Sequence, residues 1–244
     1  MSAPAFVWES HARSDVGKVR KVNEDSCLDH GDQHLWVVAD GMGGHAAGDV
    51  ASGLIVSTLK EYAAKGSLAE RVTDIEERLI AVNSELVRRA MERPDRQTMG
   101  STVVALLAHG PHCLCLWAGD SRIYRLRDGE LQRITVDHSK VQDLVDEGFL
   151  TEEDAESHPE SNVITRAVGA GDLLFVDMDI HEVQAGDTFV LCSDGLYKEV
   201  REHEIQSLLP SKTPQDAADA LVDLTLERGS RDNVTVIVVQ ARAA

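Results

Sequence analysis

Four aspartates in this chain share one placing: each sits where an apolar run meets a loop. Asp40 follows "LWVVA", Asp120 follows "LCLWAG", Asp194 follows "FVLCS", and Asp232 stands just before "NVTVIVV". Gly41, Gly119 and Gly195 flank three of them. In an antiparallel sheet the start of one strand lies beside the end of its neighbour, so all four carboxylates can converge on a single edge. Unpaired carboxylates brought together raise one another's pKa and are costly unless a cation lies between them. Oxygen donors, with no Cys or His at matching spacing, select Mg²⁺ or Mn²⁺ over Zn²⁺. A glycine beside a ligating aspartate lets the backbone come close enough for its carbonyl to bind as well. Taken singly, each aspartate reads equally well as a turn residue or helix cap. The stretch "DGMGGH" at 40–45 resists that reading, because a simple turn has no need of three glycines. Four such aspartates together make coincidence a poor account.

The elements that must position these groups follow from periodicity. Residues 34–39, "HLWVVA", read as a short buried strand, and 46–64 carry apolar positions at helical spacing. A second helix is expected over about 68–92. From 101 to 136 the texture is β, with "DG" at 128–129 a hairpin turn between alternating runs. Residues 140–158 read as two short polar helices joined around Gly148, with Thr151 before "EED" as an N-terminal cap. Strands return at about 174–181 and 187–193, a helix follows near 214–228, and "NVTVIVVQ" closes the chain as a strand. Strands and helices in blocks, rather than strict βαβ alternation, predict antiparallel sheets covered by helices. The expected class is α+β, a four-layer α-β-β-α sandwich.

Composition narrows the chemistry. At 244 residues and 43% hydrophobic content the chain can fill one sizeable core, and a single domain over 1–244 is expected. Its 24 basic against 42 acidic residues give a net charge of -18, which repels nucleic-acid phosphates and anionic lipid surfaces alike. Cys27, Cys113, Cys115 and Cys192 lie in or beside apolar runs without CxxC spacing, so buried thiols in a reducing cytoplasm are expected. No apolar stretch approaches the roughly 20 residues that cross a bilayer, and the first residues lack the pattern of an export signal. The other histidines are scattered along the chain and receive no metal role.

Eight stretches in order carry a family resemblance: "VRKVNEDS" (19–26), "VVADGMGGHAAGDVAS" (37–52), "GSTVV" (100–104), "WAGDSRIYRLRDG" (117–129), "DHS" (137–139), "HPESNVITRAVG" (158–169), "LCSDGL" (191–196) and "RDNVTVIVV" (231–239). Together they resemble the metal-dependent serine/threonine protein phosphatases of type 2C (the PPM family) in their compact bacterial form. The resemblance implies a β-sandwich flanked by helix pairs, with two Mn²⁺ or Mg²⁺ ions in a cleft at one end of the sheets. It implies that Asp40 bridges both ions, that the Gly41 carbonyl binds the second, and that Asp194 and Asp232 hold the first. Glu24 and Asp25 would anchor the second ion's water shell. Asp120, with Asp194, would form a third, weaker site, and Arg20 would clamp the substrate phosphate. The implied reaction is hydrolysis of phosphoserine or phosphothreonine by a hydroxide shared between the ions, with the equatorial oxygens neutralised by metal and guanidinium. Without the motif, Arg20 reads equally as a surface arginine.

One departure concerns the leaving group. Some relatives carry a histidine two residues after the bridging aspartate as a candidate general acid, and here that position is Met42, which cannot donate a proton. His45 lies three residues on, where its plainer reading is a helix-entry residue facing outward; a water on a metal is the expected acid. Residues 140–162 correspond to the family's flap beside the cleft. Their acidity fits basic peptides around a phosphosite, or simply a solvated helix face. The expected partners are phosphorylated proteins, including a bacterial Ser/Thr kinase and its substrates, met by a cytoplasmic monomer. Two rivals remain: a catalytically silent PPM-fold regulatory module, expected to have lost a metal aspartate, and a metal-dependent nuclease or phosphodiesterase, expected to carry a basic track. Asp40, Asp194 and Asp232 are all present and the charge balance is acidic, so both rivals fare worse than the phosphatase.

Overall fold

The computed structural model describes residues 6–43, 47–94 and 97–244. In chain order these form β1 (Phe6–Asp15), β2 (Asp25–His30), β3 (Leu35–Met42), α1 (Gly48–Lys60), α2 (Leu68–Glu92), β4 (Gly100–Ser101), β5 (Val103–His109), β6 (His112–Ala118), β7 (Arg122–Arg127) and β8 (Glu130–Arg133). Then come α3 (Lys140–Asp146), α4 (Glu152–Ser157), β9 (Asp177–Glu182), β10 (Thr188–Cys192), α5 (Asp194–Tyr197), α6 (Glu202–Leu208), α7 (Pro214–Glu227) and β11 (Val234–Ala243). Two antiparallel sheets result, one ordered β1-β11-β10-β7-β8 and the other β2-β3-β5-β6-β9, with β4 paired to β3 beside Gly41.

Alternation along the strands builds the layers. On β3, Trp36 and Val38 face the opposing sheet, where they meet Phe189, Leu191, Ile237 and Val239, while Leu35, Val37 and Ala39 face α1 and α2. The outer face of the other sheet buries Val190, Val234 and Val236 under Ile205 of α6 and Leu221 of α7. The four-layer sandwich expected from the sequence is therefore the observed one. Its helices start where the caps direct. Ser67 and Glu70 form a reciprocal capping box at α2, and the Thr151 hydroxyl accepts the Asp154 N–H at 3.1 Å at α4. The Asp128-Gly129 turn joins β7 to β8 with both residues at positive φ, 52° and 84°.

β1 and β2 are strands that the sequence pattern does not announce. Every residue of β1 is at least partly exposed, so it lacks a clean alternation, and β2 reads "DSCLDH". Both are strands because partners far along the chain supply the ladder: β1 pairs with β11 from Phe6↔Ala243 to Asp15↔Val234. α6 is also unannounced, being a single short helix. The thiols of Cys113, Cys115 and Cys192 are buried and Cys27 half-buried, all four unpaired. Among the described residues no helix is long and apolar enough to cross a membrane.

The flap, residues 140–162, leaves the body through a two-stranded neck. There Lys140 N–H donates to the Val163 carbonyl and Thr165 N–H to the His138 carbonyl, each at 2.9 Å. Gly148, at φ 78°, turns α3 toward α4 as expected.

Candidate metal centre

The alternation that puts Trp36 and Val38 between the sheets puts Asp40 there too, at the open end of β3. Asp194 follows β10 and Asp232 precedes β11, strands that pair with each other, so both aspartates emerge at one end of one sheet. Asp120 joins them from the turn between β6 and β7. The backbone holds Asp40 tightly: its N–H donates to Thr102 Oγ1 at 3.1 Å, and its carbonyl accepts Thr102 N–H at 2.9 Å.

The four acids act on one another. Asp40 is pushed well above the usual carboxylate range, first by burial and then by the charges of Asp25, Asp194, Asp120 and Asp232. Burial also raises Asp120 to about 7, with Asp194 adding to the shift and Lys198 opposing it. Asp25 is raised to about 7 by burial, against hydrogen bonds from Ser193 and Thr235, with Asp194 and Asp232 again raising it. The four strand-end aspartates are thus brought together with Asp25, the fifth aspartate expected at the site.

Glu24 is held mainly through its backbone. Its carbonyl accepts Gly41 N–H at 3.1 Å and Ser52 Oγ at 2.5 Å, while its N–H donates to Asn233 Oδ1 at 2.9 Å. Its carboxylate lies against Gly48 at the start of α1, where the helix end favours negative charge. Gly41 allows this closeness, since a Cβ there would stand 2.1 Å from the Gly48 carbonyl oxygen and 2.6 Å from that of Glu24. Gly195 does the same on the far wall: a Cβ would come within 1.9 Å of the Asn233 carbonyl oxygen. Arg20 Nη2 donates to Asp232 Oδ2 at 2.8 Å, with about half its side chain exposed. His45 lies outside the described residues.

Whether cations suit this donor set can be judged from its acceptors. Asp25 is 7% exposed and Asp120 3% exposed, yet Asp25 Oδ1 and Asp120 Oδ1 have no hydrogen-bond partner. Buried carboxylate oxygens without donors, repelled by further carboxylates, are what a hard divalent ion satisfies. Among the described residues no three His, Cys, Asp or Glu side chains stand in a closed ligand sphere. Instead the chain's own cations meet two of the acids, Arg20 on Asp232 and Lys198 on Asp194. The residues fit Mg²⁺ or Mn²⁺.

Several residues of the site have no signal in local sequence. Asn233 ties the loop that carries Arg20 to the start of β11, its amide donating to the Val16 and Val22 carbonyls at 2.9 and 3.0 Å. Arg122 is buried in a fork against Asp137, with Nε–Oδ1 at 3.0 Å and Nη2–Oδ2 at 2.7 Å. Its guanidinium lies 3.6 Å from the Tyr197 ring centroid, and the Tyr197 hydroxyl donates to the Asp120 carbonyl at 3.0 Å. The root of the flap is thereby joined to the third acidic wall. Lys198 is findable only as the residue one turn after Asp194. Burial works against its charge, but Asp194, Asp120 and Asp40 hold its ammonium above the usual lysine range.

A groove of about 1210 Å³ runs from Asp232 between the flap and α5–α6, lined among others by Gln142, Glu153, Asn162, Tyr197, Lys198 and Arg231.

A family model described as protein phosphatase 2C matches residues 14–230. The serine/threonine protein phosphatase PstP of Mycobacterium tuberculosis is 40% identical over 238 residues, covering 98% of this chain and 46% of that protein. The chain therefore spans about half the length of that relative. The serine/threonine phosphatase stp of Listeria innocua is 38% identical over 236 residues, covering 93% of this chain and 94% of the relative. A crystal structure of the catalytic domain of PstP in complex with two manganese ions superposes with a TM-score of 0.88 at 38% identity, covering 98% of this chain and 100% of that one.

Proposed function

Because this chain belongs to the protein phosphatase 2C family, we propose that it hydrolyses phosphoserine and phosphothreonine monoesters in proteins at the acidic end of its sandwich. The observation that carries the reading is the convergence of Asp40, Asp120, Asp194 and Asp232 on one cleft, with buried oxygens of Asp25 and Asp120 lacking donors. Asp40, the Gly41 carbonyl, Asp194 and Asp232 would hold two divalent ions, Mn²⁺ or Mg²⁺. Asp120 with Asp194 would face a third, and Glu24 and Asp25 would accept hydrogen bonds from ion-bound waters. When bound, such ions supply a water of lowered pKa as nucleophile and neutralise charge on the phosphoryl group.

The chain's own residues do the rest. A phosphate monoester is dianionic, and Arg20, half-exposed beside Asp232, can offer its planar fork to two phosphate oxygens. Thr102 fixes Asp40 from both backbone sides, so that carboxylate meets its ligand without rearranging. Met42 cannot protonate the leaving oxygen, which favours a water as the acid. The groove under the flap, about 1210 Å³ in volume, has room for residues flanking the phosphate, which favours a protein over a small phosphomonoester. Its substrates would be proteins phosphorylated by a bacterial Ser/Thr kinase. A silent regulatory module has no use for a complete aspartate set, and a nuclease would need a basic track that a net charge of -18 opposes.

Turnover of a phosphothreonine peptide and of a phosphodiester, compared in Mn²⁺, tests the reading. The monoester is expected to be strongly preferred; equal or reversed rates would refute the assignment.

A further inference from the structure

Five consecutive residues beside the acidic cleft, Lys18, Val19, Arg20, Lys21 and Val22, are all exposed. Their backbone is nonetheless held in place. Lys18 N–H donates to the Ser230 carbonyl at 2.9 Å, and the Asn233 amide binds the Val16 and Val22 carbonyls on either side. Gly17, at φ 76°, packs so closely that a Cβ would stand 2.2 Å from the Asp232 carbonyl oxygen. Arg20 reaches Asp232, but Lys18 and Lys21 have no ion-pair partner among the described residues, although acids outnumber bases by 42 to 24. The groove that leads away from Asp232 has the opposite character. Its cations Arg122, Lys198 and Arg231 are engaged by Asp137, Asp194 and Glu199, whereas Glu153 of the flap and Glu202 of α6 have no such partner among the described residues.

We propose that Lys18 and Lys21 determine substrate specificity: they take acidic side chains on one side of the phosphorylated residue, while Glu153 and Glu202 take basic side chains on the other. The cleft thereby reads the order of charge along a phosphoprotein segment. The inference rests on the phosphatase reading, which puts the phosphate at Arg20 and the aspartates. A segment anchored there must cross the 18–22 stretch on one side and enter the groove on the other. At about 3.3 Å per extended residue, three residues reach about 10 Å each way, within range of both sets of side chains. Each exposed ion pair contributes little alone. Discrimination comes from the reversed segment, which would set acid against Glu153 and Glu202 and ammonium against the two lysines. Because the hydrogen bonds from Ser230 and Asn233 already fix the backbone of 18–22, binding has only the lysine side chains to order there.

The test uses the full chain in Mn²⁺ with two phosphothreonine peptides of identical composition, one with aspartates before and lysines after the phosphoresidue, the other reversed. Identical composition removes any effect of net charge. One order is expected to exceed the other by about fivefold or more in kcat/KM, mainly through KM, and the ratio should collapse at high salt. Lys18→Gln/Lys21→Gln and Glu153→Gln/Glu202→Gln should each at least halve the ratio, and the four changes together should abolish it. Turnover of p-nitrophenyl phosphate, which has no flanking residues, should stay at the wild-type level in every variant. Equal kcat/KM for the two orders in an enzyme that hydrolyses both overturns this inference alone. So does a ratio that survives the lysine changes, or a loss of p-nitrophenyl phosphate turnover that matches the loss on peptides, which would make the lysines structural. Failure of the wild type to hydrolyse any of the three would bring down the phosphatase reading and this inference together.

Discussion

Asp25 stands directly opposite Asp40 in the antiparallel pair of β2 and β3. Like charges in facing positions of a sheet repel, and here the pair is surrounded by Asp120, Asp194 and Asp232 as well. The hydroxyl of Ser193 donates to Asp25 Oδ2 at 2.7 Å. The ladder thus forces acid against acid at the spot where the phosphatase reading places its cations.

Asp40→Asn and Asp194→Asn are expected to lower Mn²⁺-dependent turnover by more than about 100-fold with the fold retained. Asp40→Asn should also raise the melting temperature of metal-free protein, by about 2–4 °C for each kcal/mol of repulsion relieved, and should abolish the stabilisation that Mn²⁺ gives the wild type. Phosphopeptide kinetics and calorimetry with and without Mn²⁺ check both. A fully active Asp40→Asn enzyme would contradict the bridging role. Asp120→Asn should impair turnover while leaving the two tightest ions in place.

Gly195→Ala tests the closeness of the two loops that carry Asp194 and Asp232. Its Cβ would stand 1.9 Å from the Asn233 carbonyl oxygen, so the start of β11 must move away from α5 and carry Asp232 with it. We expect a loss of about 3 kcal/mol in urea unfolding together with weakened Mn²⁺ affinity. Wild-type affinity in a folded variant would count against this account.

Arg122 and Asp137 form a buried, bidentate pair at the root of the flap. Removing one partner leaves an uncompensated charge, so Arg122→Met or Asp137→Leu should each cost about 3–5 kcal/mol. The double variant should lose much less than the sum of the two. A thermodynamic cycle from denaturant melts gives the coupling, and additive losses would show that the pair is not a unit.

His138 accepts Gly119 N–H at Nδ1 and meets Asp177 through Nε2, at 3.1 and 3.2 Å, while its ring stacks on Trp117. Burial lowers its pKa, against the hydrogen bond to Asp177. With the folded pKa below the unfolded value of about 6.5, the unfolded chain takes up the proton first. This contribution is therefore present above pH 6.5 and is lost as pH falls below it. His138→Asn keeps an acceptor for Gly119 but does not titrate. The stability gap between wild type and variant should be widest near pH 8 and narrow by pH 5 in urea melts; a constant gap would exclude a titrating role.

Local sequence determined the elements and their polarity. Four carboxylates at strand ends, the Asp128-Gly129 turn, the Ser67 and Thr151 caps and the bounds of α2 are all set by neighbours within a few residues, where periodicity and capping act. Register between distant strands is a tertiary matter. Nothing in "FVWESHARSD" or "DSCLDH" marks a strand until β11 and β3 provide the ladders, and only the β2–β3 register sets Asp25 against Asp40. The same holds for charge compensation: Lys198 on Asp194 and Asn162, Arg122 on Asp137 and Asn233 under the Arg20 loop are chosen by packing. A buried charge takes whatever partner the folded chain brings within reach, and that reach is invisible along the sequence.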